Sequence, residues 1–161
     1  MFEVVATNAA GVTVTAFEVN SNSTAVGDFE VCGVVGNYAG NENNAAAWTL
    51  IGAATGVPCN GAGVATPLPI CVDTFVAAGT TQSFYVTHSD TQIMAYTNGT
   101  ATGSVYASNA DLEFYEGSGH AYPFQANFNP RVWNGNIFYN VGNTSGGAGC
   151  TFADISSYGA G

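Results

Sequence analysis

Short stretches in which apolar and polar side chains alternate recur along almost the whole chain, and this pattern constrains the fold more than any other. Near the start, Phe2, Val4 and Ala6 share one face of such a stretch, and in residues 80–88 Phe84 and Val86 do the same. A period of two is typical of β-strands that bury one face. About nine to eleven such stretches occur, with almost no helical period. The sequence therefore predicts an all-β fold, an antiparallel β-sandwich of the jelly-roll type.

The second and third stretches predict finer detail. Val12 and Val14 share one face, whereas Phe17 and Val19 fall on the other. We expect this strand either to be buried on both sides or to contain a β-bulge. Alternation along the third stretch, residues 29–35, predicts that Cys32 points away from the main core, towards the segment that covers the other face of that sheet.

The second half of the chain contains a turn signal and a crossing segment. Asn98-Gly99 between two apolar stretches predicts a type I′ hairpin. In residues 111–141, alternation over Leu112 and Phe114 predicts a strand, and a second strand is expected from Pro130 to Val141. Four residues that break regular elements are expected to make a turn-rich linker between them: Gly117, Gly119, Pro123 and Pro130.

Residues 1–141 are predicted to form the β-sandwich domain, followed by a Gly/Ser-rich tail over residues 142–161. The tail also carries apolar residues, Phe152, Ile155 and Tyr158. Because a free tail of this composition is expected to be disordered, we expect it to pack on its own subunit or to add a strand to a neighbouring one.

Charge excludes two classes of partner. The 161 residues include eleven acidic side chains, one arginine and no lysine, for a formal charge of −10. Because no basic patch can neutralise phosphates, we expect neither nucleic acid nor an anionic membrane as a partner. No apolar run is long enough to cross a membrane, and no signal peptide is recognisable at the start. If the protein is exported, the signal has been removed or the chain is part of a longer one.

The cysteines and glycosylation sequons indicate an extracellular protein. None of the four cysteines lies in a C-x-x-C motif, so disulfides are preferred over a zinc site. A bond between Cys59 and Cys71 would close a flexible segment, and Cys32 with Cys150 is the candidate that would hold the tail. Asn22, Asn98 and Asn143 begin Asn-x-Ser/Thr sequons and are possible glycan attachment sites.

Several segments together resemble a family of β-sandwich modules found in large secreted and cell-surface bacterial proteins. The matching segments are MFEVVATNAAGVTVTAFEVN, GNYAGNENNAAAWTLIG, QSFYVTHSD, YTNGTATGSVYASNADLEFYEGSG and YPFQANFNPRVWNGNIFY. The resemblance implies an exported surface or extracellular module without an established catalytic role. Cys32, the segment from Cys59 to Cys71 and the tail depart from it.

No catalytic constellation is expected, and the chain is predicted not to be an enzyme. Asp111 and Glu113 share a strand face, but that face is predicted to be solvent-exposed rather than part of a hydrolase site. His88, Ser89 and Asp90 have the residue types of a nucleophilic triad, but neighbouring strand positions alternate in direction. We interpret them as the end of a strand and a turn.

No cofactor is expected, although calcium is a weak alternative because oxygen ligands are abundant in loops. The candidate ligands are Asn37, Asn41, Glu42 and Asn43 in one loop, with Asp28 and Asp90 in others. They do not follow a recognised ligand spacing, so loop solvation is the simpler interpretation.

Aromatic residues and the single arginine are the remaining candidate sites. Six aromatic residues could stack against sugars, or simply pack in the core and at its rim: Trp133, Trp48, Tyr115, Tyr96, Tyr106 and Tyr122. Arg131 is expected to be held by a carboxylate or by carbonyl oxygens, and to act as a structural clasp for residues 111–141.

These features predict an extracellular structural protein, a subunit of a surface fibre or matrix. Copies would assemble by β-strand addition into a homopolymer. The expected donors and contacts are Phe2 and Val4 in the N-terminal strand and Phe152, Ile155 and Tyr158 in the tail. The alternative is a carbohydrate-binding or adhesive surface module that recognises extracellular glycans.

Overall fold

A computed structural model describes residues 1–90 and 94–146. It is all-β, as predicted, and its only helical element among these residues is a 3-10 turn at Ala45–Ala47. The thirteen strands are β1 Phe2–Ala6, β2 Val12–Asn20, β3 Val26–Val35, β4 Thr49–Pro58, β5 Ala65–Pro67, β6 Thr74–Val76, β7 Thr81–His88, β8 Tyr96–Asn98, β9 Val105–Ser108, β10 Leu112–Tyr115, β11 Gly117–Ala121, β12 Gln125–Trp133 and β13 Gly135–Val141. No described helix is long and apolar enough to cross a membrane.

The strands form three antiparallel sheets. The largest has the order β4-β3-β7-β1-β10-β9, a second has β13-β2-β5 with β6 also paired to β2, and a third has β11-β12-β8. Their facing sides share one apolar core, which is the arrangement of a β-sandwich. The jelly-roll connectivity stays a prediction.

Phe2 lies at the centre of this core. Its ring contacts those of Phe17, Phe84, Phe114 and Trp133, with centroids 4.7 to 5.9 Å away. β1 therefore joins the six-stranded sheet to the strands opposite. It pairs with β7 on one side and β10 on the other.

A β-bulge in β2 explains its irregular alternation. Phe138 pairs with Ala16 and Tyr139 with Val14, so β2 contains one residue more than β13 between these pairs. A bulge shifts the alternation by one residue. Side chains on both sides of it consequently enter the same core, from Val12 and Val14 to Phe17 and Val19. Of the two alternatives considered from the sequence, the bulge is confirmed.

The predicted hairpin at Asn98-Gly99 is wrong. β8 pairs with β12 in the three-stranded sheet, whereas β9 pairs with β10 in the six-stranded sheet. The turn between them is organised by Glu116, whose carboxylate accepts hydrogen bonds from the backbone of Thr100 and Ala101 at 2.5 and 2.9 Å. A side chain at position 99 would come too close to that carboxylate, so replacing Gly99 would displace the Glu116 side chain from these hydrogen bonds.

The predicted linker between residues 115 and 130 is also wrong, because β11 and most of β12 occupy it. Pro130 lies within β12 rather than at the start of a strand, and the second predicted strand is divided into β12 and β13 at Asn134. Both X-Pro bonds of this region, Tyr122-Pro123 and Asn129-Pro130, are cis. Register shifts between β11 and β12 accommodate the irregular backbone.

Candidate functional site

A cleft of about 320 Å³ is lined by the C-terminal half of β7 and by residues of β8, β11 and β12. It therefore lies where the six-stranded sheet meets the three-stranded one. This volume is at the lower end of the range of small-ligand pockets. We refer to this site as the cleft.

The cleft brings together buried polar atoms that lack hydrogen-bond partners among the described residues. There are five such atoms, and every one belongs to a residue that lines the cleft: Tyr85 Oη, His88 Nε2, His120 Nδ1, Arg131 Nε and Trp133 Nε1. Tyr85, His88 and Trp133 are at least nine-tenths buried. Buried polar groups are nearly always paired, so their concentration at one place makes the cleft the candidate binding site.

The two histidines are held by different partners. His88 Nδ1 lies 3.3 Å from Asp90 Oδ1, and the His88 ring packs on Phe29 at 4.2 Å between centroids. Burial lowers the pKa of His88, although Asp90 opposes the shift. His120 Nε2 lies 2.8 Å from Ser118 Oγ, and burial lowers the pKa of His120 to about 4. Both rings are consequently neutral at pH 7.

The residue types named as a possible triad are only partly brought together. His88 and Asp90 meet because they are two positions apart in the chain, and positions i and i+2 share a face. Ser118, another hydroxyl in the cleft, contacts His120, but His120 Nδ1 has no carboxylate behind it among the described residues. The orienting acid of a nucleophilic triad is therefore missing from the described pair.

Arg131 is held by a carbonyl oxygen, one of the two alternatives considered from the sequence. Its Nη1 donates a 2.8 Å hydrogen bond to the carbonyl oxygen of neighbouring Pro130. The guanidinium lies 5.1 Å from the centroid of the Tyr96 ring on β8. No ion pair of Arg131 is present among residues 1–90 and 94–146. Its role as a structural clasp stays a prediction.

Three of the six aromatic residues considered for sugar stacking, Trp48, Trp133 and Tyr115, do not form a platform. Trp48 is buried against Tyr38 and Phe124 and donates from Nε1 to the Asn41 carbonyl at 2.9 Å. Trp133 is buried against Phe2. The Tyr115 hydroxyl donates to Glu113 at 2.6 Å on β10, away from the cleft.

Three partly exposed aromatic residues surround the cleft. Tyr96, Tyr122 and Phe128 line it and are 52%, 39% and 48% exposed. They come from β8, from the turn between β11 and β12, and from β12, respectively. Tyr96 and Tyr122 are among the residues considered for sugar stacking from the sequence, whereas Phe128 is not, because its region was interpreted as a linker.

The carboxylate pair on β10 has structural partners. Asp111 accepts hydrogen bonds from Asn8 at 2.7 Å and from the Tyr139 hydroxyl at 3.1 Å. Glu113 accepts from Tyr115. Neither carboxylate lines the cleft.

Two of the loop oxygens considered for calcium accept hydrogen bonds from backbone amides. No group of three or more His, Cys, Asp or Glu side chains within the described ranges could hold a metal ion. Asn37 Oδ1 instead accepts from the Ala39 amide at 2.6 Å, and Asp28 Oδ1 from the Gly56 amide at 2.8 Å.

The predicted cysteine pairings are wrong. Cys32 and Cys59 are both buried free thiols. Cys59 packs within the main core, with its sulfur 3.7 Å from the Val57 carbonyl. Cys32 points to the outer face of the six-stranded sheet, as predicted, where burial raises its pKa to about 11. Cys71 is disulfide-bonded, and Cys150 lies outside the described residues.

The positions named for glycosylation and assembly have contrasting environments. Asn22, Asn98 and Asn143 are all exposed. Phe2 and Val4 are fully buried in a strand paired on both sides, so the N-terminal strand is not a free donor. Phe152, Ile155 and Tyr158 lie outside the described residues.

Comparisons with protein-family models, curated proteins and solved structures found no match to this chain. The resemblance to bacterial surface modules therefore stays a prediction. Any functional proposal must rest on the chain's own geometry.

Proposed function

We propose that this protein is an extracellular carbohydrate-binding module that holds its ligand in the cleft. The observation that carries the proposal is the set of five unpaired buried polar atoms in one small-ligand-sized cleft. Leaving such a group unpaired costs about 1–3 kcal/mol. A hydroxyl-rich ligand would supply the missing partners.

The rim supports a sugar rather than another polar ligand. Tyr96, Tyr122 and Phe128 offer partly exposed rings beside the buried polar atoms. Aromatic rings suit the apolar faces of sugars, and donors and acceptors beside them suit the hydroxyl groups. Both kinds of group occur together in the cleft.

The sequence supports the extracellular and non-enzymatic parts of the proposal. Three exposed sequons and a surface with few charges are consistent with an exported protein. In the described cleft Asp90 is the one carboxylate, so a pair of carboxylates for glycoside hydrolysis is lacking there. Binding rather than turnover fits these residues better.

Glycan-array screening followed by calorimetry tests the proposal. Tyr96→Ala should weaken binding about two- to tenfold, because a ring contact worth about 0.5–1.5 kcal/mol is lost. Tyr106→Ala is the matched control, since Tyr106 is 56% exposed on β9 but does not line the cleft. Equal losses in both variants, or no glycan binding by the unmodified protein, would contradict the proposal.

Assembly into a fibre or matrix is a second candidate, and the edge strand β4 favours it. β4 is ten residues long, carries no charged side chain and pairs on one side with β3. Leu50 on it is 57% exposed. A long uncharged edge is a template for strand addition between copies.

Light scattering and negative-stain microscopy test this second candidate. Leu50→Lys should abolish self-association, since a charge on an edge strand opposes strand addition. Val105→Lys on β9, the opposite edge, serves as the control. A monodisperse monomer at high concentration in the unmodified protein would exclude assembly through β4.

A further inference from the structure

Arg131 is the one basic side chain in a chain with eleven acidic ones, yet it lies in the cleft without a carboxylate partner in the described structure. Half-buried arginine normally pairs with carboxylates, because its planar fork matches their two oxygens. Here one side of the fork is used by the Pro130 carbonyl, through Nη1. The Nε atom is buried and unpaired.

The surrounding contacts hold the guanidinium in place rather than neutralise it. Tyr96 lies against its face at 5.1 Å, which supports a cation through the electron-rich ring. The carboxylate of Asp90, the one acidic side chain lining the described cleft, is engaged by His88 Nδ1 at 3.3 Å. The guanidinium charge of Arg131 therefore remains available to an anionic ligand.

The remaining unpaired atoms suit a ligand with both an anionic group and hydroxyl groups. Trp133 Nε1 and Arg131 Nε can only donate hydrogen bonds. His88 donates through Nδ1 to Asp90 when its ring is neutral, which leaves Nε2 as an acceptor for a hydroxyl group. Tyr85 Oη can do either.

We propose that the cleft binds a carboxylated sugar, a uronic acid unit of an acidic polysaccharide. The ligand carboxylate accepts from Arg131 Nε, and the sugar ring lies among Tyr96, Tyr122 and Phe128. A hydroxyl group of the ring pairs with His88 Nε2. This inference rests on the proposed function and specifies its ligand class.

The test compares charged and uncharged forms of the same sugars. Dimers of galacturonic, glucuronic and mannuronic acid are each titrated calorimetrically beside their methyl esters, which keep the ring and remove the charge. At least one acid should bind tenfold or more tightly than its own ester, because hydrogen bonds to a charged group are the stronger kind. The unmodified protein suffices for this comparison.

Variants of Arg131 then assign the preference to that residue. Arg131→Gln should reduce the acid-to-ester affinity ratio to about one, and Arg131→Lys should retain part of it, because lysine keeps the charge without the fork. Near-UV circular dichroism checks that both variants remain folded. A ratio unchanged in Arg131→Gln would overturn the assignment.

The possible failures are distinguishable. If esters or neutral sugars bind as tightly as the acids, the proposed ligand class is wrong while carbohydrate binding stands. If neither these dimers nor the glycans of the array bind, both proposals fail.

Discussion

The main core and the cleft lie on either side of Trp133, and they differ in the side-chain atoms that they bury. Around Phe2 and Phe17, apolar rings fill the space between the sheets and contact one another at 4.7 to 5.9 Å. At the cleft, five polar atoms are buried without partners in the described chain. The indole ring of Trp133 packs in the core while its Nε1 belongs to the cleft.

This contrast separates the part of the molecule that stabilises the fold from the part available for binding. Close-packed apolar surface is the main source of stability. Unpaired buried polar groups lower stability, and they persist where they serve another purpose. The difference can be measured by substitutions in each region.

The largest effect is expected in the core. Phe17→Ala should lower the free energy of unfolding by about 3–5 kcal/mol, since it removes a fully buried ring. Phe128→Ala at the rim of the cleft should change it by less than about 0.5 kcal/mol. Urea denaturation measures both. Similar losses would show that the cleft is an extension of the core rather than a distinct region.

A smaller effect of opposite sign is expected within the cleft. Tyr85→Phe removes a buried hydroxyl that has no described partner and keeps the ring, so the protein should become more stable by about 1 kcal/mol. Loss of stability would instead indicate that the hydroxyl is already paired in the folded protein.

The smallest effect is a pH dependence. Because burial lowers the pKa of His120 from 6.5 to about 4, the unfolded chain binds a proton at this residue that the folded chain does not. The stability contributed by neutral His120 is therefore present above pH 6.5 and is lost as the pH falls towards 4. In His120→Gln, unfolding free energy should depend less steeply on pH in this window. An unchanged slope would show that His120 is already protonated at pH 6 in the folded state.

Sequence reasoning succeeded where side-chain alternation decides the structure. It identified the buried faces of β1 and β7, the outward direction of Cys32 and the bulge as one explanation for β2. It failed where contacts distant in sequence decide. The turn after Asn98 depends on Glu116, and β8 pairs with β12 rather than with the next strand. No local pattern encodes either contact.

The same limit applies to the cleft. Tyr85 lies on the face of β7 opposite to Phe84 and Val86, and that face is covered by Tyr38, Trp48 and Phe124, which lie far away in the chain. The burial of Tyr85 could therefore not be predicted from the sequence. Arg131 was recognised as exceptional from composition alone, whereas its missing carboxylate partner required the fold.

Because Arg131 is the one arginine in the sequence, it can also be modified selectively by chemical reagents. Dicarbonyl reagents such as phenylglyoxal modify guanidinium groups, and Arg131 is the one such target among 161 residues. Within these residues a modified guanidinium can therefore be assigned to a single position without engineering. Protection from tagging by an added saccharide would report directly on occupancy, in the native material.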